Sequence, residues 1–185
     1  MFTDADQSLI DAWLRTARAF DTRSDVEQLV ELQRLVRERI RYEDQGDNDR
    51  DWALPHVTLS RGRGNCNDYA GLAFFTAHML NLGDDPDHSG DGVRMVHTKL
   101  ADGRGHMICG VLVDGELWGL DNRFRQPYLI ETTSGDQTVL AEYSIAQFRM
   151  RGEPMPVISE RFDTMVSSMS EYRGAAFLMP DMAGA

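Results

Sequence analysis

Apolar positions recur at three- and four-residue steps in the first part of the chain and at every second residue after Val93. The first pattern predicts helices and the second predicts strands. Leu9, Ile10, Trp13, Leu14, Ala17 and Phe20 form one helical stripe, and Ser24-Asp25-Val26-Glu27 is a capping box that opens a second helix. In that helix Leu29, Val30, Val36 and Ile40 face inward. Tyr69, Leu72, Ala73, Thr76, Met79 and Leu80 predict a third amphipathic helix. Acid-rich Tyr42 to Asp51 and polar Gly83 to Gly92 read as loops, with Trp52-Ala53-Leu54-Pro55 closing the first. Val93, Met95 and His97 share one face of a strand, and residues 106 to 123 form a hairpin about an Asp114-Gly115 turn. Helices followed by an antiparallel sheet predict an α+β fold. No repeat or second-domain boundary is visible. The chain therefore reads as a single domain, 1–185, with a core of about 24–150 and a tail of 151–185 that holds one short helix near Arg161 to Met169.

The third helix starts at chemistry. In Gly64-Asn65-Cys66-Asn67-Asp68-Tyr69, Asn65 is a good N-cap and Asp68, three residues on, is its capping partner. Cys66 becomes the first helical residue, where free N–H groups and the helix dipole favour a thiolate. A thiolate mechanism needs a base, and the base needs an orienting group. The hairpin supplies both. With Val113 opposite Glu116, Asp121 falls opposite Ile108 and His106 opposite Arg123. His106 and Asp121 then share a face, one diagonal step apart, at a Cα separation of roughly 7–8 Å. Cys109 lies on the other face and reads as core. Singly, each of these residues is more often a buried packing group or the start of a turn. Together they point to nucleophilic catalysis by Cys66, with His106 as base and Asp121 as orienter.

Composition narrows the partners. A chain of 185 residues, 42% apolar and 26% charged, is long enough to bury a core. Its net charge of −11 argues against nucleic acid and against insertion into an anionic membrane. Two cysteines in a chain of this size read as thiols. The N-terminal residues lack a basic and apolar secretory signal, so the expected location is cytoplasmic, or reached by export without such a signal. Asp85 to Gly92 imitates the start of a calcium loop, but the bidentate ligand position falls on Val96. His56, His78, His88 and His97 have no metal spacing with the cysteines, and Arg61-Gly62-Arg63-Gly64 lacks the features of a phosphate loop.

From about Leu29 to Phe148 the sequence resembles the bacterial transglutaminase-like cysteine peptidases of the LapG type, within the papain-like/transglutaminase superfamily. The resemblance runs through Ile40-Arg41-Tyr42, Asp51-Trp52-Ala53 with Pro55, Gly62-Arg63-Gly64-Asn65-Cys66-Asn67-Asp68-Tyr69, Val93-Arg94-Met95-Val96, Gly105-His106-Met107 and Leu120-Asp121-Asn122. It implies a thiol protease, a hydrolase with Cys66 as nucleophile, His106 as base then acid, and Asp121 as orienter. The substrate would be a protein or peptide, and the Cys66 N–H an oxyanion donor. Trp52 would stand at the groove wall. Acyl transfer to an amine, or a catalytically silent binding member, are the alternatives. In the family, acids flank the cysteine and bind regulatory calcium; here Asn65 and Asn67 stand there, so calcium affinity is expected to be weak or absent and no cofactor is expected to be required.

Overall fold

The computed structural model describes residues 2–20, 24–43, 52–84, 91–131, 133–145, 148–150 and 156–172. Helix α1 (Asp4–Ala17) runs into a 3₁₀ turn, Arg18–Phe20, and is followed by α2 (Asp25–Arg39). Both begin in capping boxes, Thr3 with Asp6 and Ser24 with Glu27. Two-residue strands β1 (Arg41–Tyr42) and β2 (Arg63–Gly64) pair in parallel on either side of α3 (Pro55–Arg61). Helix α3 is absent from the sequence expectation, although its punctuation is present: Pro55 pre-sets the first turn and Gly62 ends it at φ 62°. The acid-rich loop after Glu43 and residues 85–90 of the calcium-loop imitation lie outside the described residues.

Helix α4 (Cys66–Met79) is the centre of the molecule. Every residue from Asp68 to His78 is buried, so it is enclosed on all sides and the expected single stripe is too narrow. Trp13 of α1 donates its indole N–H to Thr76 Oγ1 at 2.8 Å, and Tyr69 donates its hydroxyl to Gln33 O of α2 at 3.1 Å. A third side packs on the sheet. The fourth is closed by α5 (Pro156–Met169), longer than the short helix expected in the tail, whose Phe162 meets Phe74 edge-on at 5.6 Å. Phe162, Met165, Val166, Met169 and Tyr172 all belong to the main core.

The larger sheet contains β3 (Val93–Leu100), β4 (Gly105–Val113), β5 (Glu116–Leu120), β6 (Tyr128–Leu129), β7 (Thr133–Ser134), β8 (Gln137–Tyr143) and β9 (Phe148–Met150). Its order is β6-β5-β4-β3-β8-β7, antiparallel throughout, with β9 also on β8. The β4–β5 hairpin has the expected register, from Val113 opposite Glu116 to Cys109 opposite Leu120. Asp114 and Gly115 turn it with φ of 52° and 78°, the positive values a two-residue hairpin turn requires. Cys109 is fully buried in the main core, while Val96, Ile108 and Val139 form a second cluster. The sheet thus carries buried apolar side chains in two separate clusters.

Candidate active site

The Cys66 helix is held by a reciprocal cap. Asn65 Oδ1 accepts from the N–H groups of Asn67 at 2.8 Å and Asp68 at 3.3 Å. Asp68 Oδ2 accepts from Asn65 N at 3.1 Å, and its Oδ1 accepts from Ala53 N at 3.1 Å. These bonds occupy the amides on either side of Cys66, whose own N–H has no partner among the described residues. The half-buried Sγ and an unpaired amide therefore sit together at a helix N-terminus.

His106, at the start of β4, is 6% exposed and Asp121, just past β5, is fully buried. His106 Nε2 and Asp121 Oδ1 are 2.9 Å apart. The Cys66 side chain also acts on the imidazole. Burial pushes the imidazole pKa down, but the bonds and charges of Asp121 and Cys66 outweigh it and bring the value up to about 9. His106 thus carries its proton through neutral pH, and an imidazolium beside sulfur is the pairing that supports a thiolate. Burial alone would raise the Asp121 carboxyl; His106 and Arg123 outweigh it and hold it below the usual carboxylate range.

The expected pairing of His106 with Arg123 does not form. The ladder stops at Leu120, because the chain bends into a turn closed by Phe124 N on Asp121 O at 3.2 Å. Arg123 instead folds back on Asp121. Its N–H reaches Oδ1 at 2.9 Å, and its Nε and Nη2 reach Oδ2 at 3.0 and 2.8 Å. Tyr128 donates its hydroxyl to the same Oδ2 at 3.2 Å. From α2, Gln33 accepts from Asp121 N at 3.2 Å and donates to Phe124 O at 2.9 Å, while Arg37 donates to the carbonyls of Asn122 and Phe124. Arg123 is a local neighbour of Asp121, whereas Gln33 and Arg37 reach this turn only through the fold.

A cavity of about 200 Å³ opens beside the site, between Arg37, Ile40, Arg41, Tyr42, Gly64, Tyr69 and Asn122. Trp52, expected at a groove wall, is 8% exposed and packed in the core. Exposed Tyr42 and half-buried Arg37 line that cavity in its place.

Residues 15–82, which span α4 and the cysteine, match the family model of the transglutaminase-like superfamily. LapG of Legionella pneumophila superposes with a TM-score of 0.70 over 91% of each chain, at 16% identity. The fold is transglutaminase-like. Its EGTA-treated form matches equally, and its calcium-bound form aligns with a TM-score of 0.66, 18% identity, and coverage of 85% of this chain and 90% of that one. A sequence comparison with curated proteins finds no match. Within this transglutaminase-like fold, the donors flanking Cys66 are two amides and one carboxylate. The Asp68 oxygens are taken up by Asn65 N and Ala53 N, and Asn65 Oδ1 caps the helix. Calcium prefers several carboxylate or carbonyl oxygens, and this donor set carries less negative charge than acids on both sides of the cysteine would. Among the described residues no helix is long and apolar enough to cross a membrane.

Proposed function

We propose that the protein is a cysteine peptidase that hydrolyses a peptide bond of a protein substrate through a Cys66 thioester. The observation that carries this reading is buried His106, 2.9 Å through Nε2 from Asp121 and raised in pKa by both Asp121 and the Cys66 side chain. In this scheme the Cys66 thiolate attacks the scissile carbonyl carbon and the oxyanion forms against the unpaired Cys66 N–H. The imidazolium then gives its proton to the departing amine, which leaves as the C–N bond breaks. Neutral His106 next takes a proton from water, whose oxygen attacks the thioester carbon and releases the carboxylic acid and the thiolate. Asp121 keeps the imidazole oriented throughout. The step needs no metal, in keeping with the donor set around the cysteine. The cavity beside Gly64 and Asn122 is the place for a substrate side chain next to the scissile bond. In this reading α5 belongs to the same domain, because it closes the core under α4.

Alkylation by iodoacetamide, followed by intact mass and peptide mapping, tests it. Cys66 is expected to be alkylated readily, and His106→Ala is expected to slow the reaction at neutral pH. Cys109, whose thiol is pushed up by complete burial, is expected to stay unmodified. Cleavage of a broad peptide mixture is expected to disappear in Cys66→Ala. If Cys66 reacts like an ordinary solvent thiol, or cleavage persists without it, the peptidase reading is wrong.

A further inference from the structure

We propose that Arg123 is a positioning residue of this site, whose guanidinium clamps the far oxygen of Asp121 so that the carboxylate stays ionised and aligned in both protonation states of His106. The inference rests on reading Cys66, His106 and Asp121 as the catalytic group.

The two oxygens of Asp121 have separate duties. Oδ1 receives His106 Nε2 and the Arg123 backbone N–H, both at 2.9 Å. Oδ2 receives the Arg123 Nε and Nη2 and the Tyr128 hydroxyl. Arg123 Nη2 also donates to Gln137 Oε1 at 2.7 Å, and Gln137 Nε2 donates to the Tyr128 hydroxyl at 2.7 Å. The result is a closed ring of side chains from the β5–β6 turn, β6 and β8 around one buried carboxylate. A planar guanidinium matches a carboxylate edge in a way a lysine cannot, so the clamp sets the plane of the group as well as its charge.

The catalytic cycle gives the clamp its purpose. With His106 protonated, Asp121 faces two cations. When the imidazole passes its proton to the leaving amine, Arg123 is the cation that remains on the carboxylate. Without it a fully buried anion would be uncompensated at that moment, and the imidazole would hold its proton more tightly. The groups that face His106 are Asp121, Cys66 from α4 and His97 from β3, the last held neutral by burial and by the charge on His106. Tyr69 of α4 and Tyr128 also feel Asp121, and both stay protonated because burial raises them. Arg123 acts at longer range on Asp102 as well, an exposed acid already paired with Arg104. Among the described residues, Arg123 is the cation whose side chain bonds Asp121, besides His106 itself.

The test is the titration midpoint of the His106 imidazole, read by NMR in the substrate-free chain. Arg123→Met is expected to move it upward by about half a pH unit or more. Arg123→Gln, a second neutral variant that can still hydrogen-bond, is expected to move it the same way. Arg123→Lys is expected to restore most of the midpoint, and Tyr128→Phe, which removes no charge, to leave it in place. A midpoint that is unchanged or lowered in both neutral variants overturns the proposal and makes Arg123 a lock on the turn, even if thermal stability falls. The peptidase reading fails separately: an ordinary Cys66 alkylation profile in the unsubstituted chain would reject it while the His106 midpoint still reports on Arg123.

Discussion

The Gly64 backbone lies so close against the Asp68 side chain that a Cβ on Gly64 would overlap the carboxyl group. Asp68 in turn holds the amides of Asn65 and Ala53, so this close approach seats the cap of the cysteine helix. Gly64→Ala must push Asp68 aside. Losing the cap alone costs about 1 kcal/mol, and the displaced buried carboxylate adds to it, for an expected total of about 2 kcal/mol. Urea unfolding checks the stability, and slower Cys66 alkylation checks the site. Gly135→Ala, where an added methyl meets nothing within 4 Å, is expected to change neither.

His106 makes stability depend on pH in a predictable direction. Its folded value of about 9 lies above the ordinary 6.5, so the folded state binds the proton more tightly than the unfolded state. The stabilisation is fully present below about pH 6.5 and is lost as pH rises through about 9. Unfolding free energies measured across that window are expected to fall with rising pH. His106→Ala is expected to flatten the slope, and an unchanged slope would assign it to other groups.

Arg94 of β3 is buried against Glu142 of β8 at 2.7 Å, with Asp91 at 3.3 Å on its other side and Ser144 holding Asp91 at 2.8 Å. Removing one member upsets the balance of a buried charge group inside the fold. Glu142→Gln and Arg94→Met are each expected to cost about 3 kcal/mol, and the double substitution less than their sum. A double-mutant cycle by chemical denaturation measures the difference. Additive costs would show that the pair does not act as a unit.

Calcium is expected to leave the melting temperature where EGTA leaves it, because the oxygens near Cys66 already serve the helix cap. Asn65→Asp together with Asn67→Asp adds two carboxylates at the mouth of the site. That variant is expected to gain a calcium-dependent rise in melting temperature, read by scanning fluorimetry. A shift of that size in the unsubstituted chain would show that the amides ligate the ion.

Local chemistry made much of this site legible in advance. Asn65 and Asp68 announce a helix start by their spacing, and Asp114-Gly115 sets a hairpin register that places His106 near Asp121. The burial of α4 was not legible, because a periodic stripe reveals one buried face and α1, α2, the sheet and α5 cover the others. Arg123 leaves the expected ladder because Asp121-Asn122 begins a turn, and it folds onto the carboxylate two residues back, where Tyr128 and Gln137 join it from different strands. Gln33 reaches the same turn from α2, far away in the chain. Contacts of that kind are products of topology and carry no local signal.

The packing of α5 beneath α4 sets a timetable for the nascent chain. Met165 sits 3.2 Å from the position a Cβ on Gly71 would take, and Phe162 meets Phe74 edge-on, so the helix carrying the thiol rests on residues translated long after it. Until they leave the ribosome, the large apolar surface of α4 has no floor and His106 has no firmly seated partner. A poised sulfur is therefore a late product of synthesis, withheld from the cell until the body of the molecule has closed around its helix.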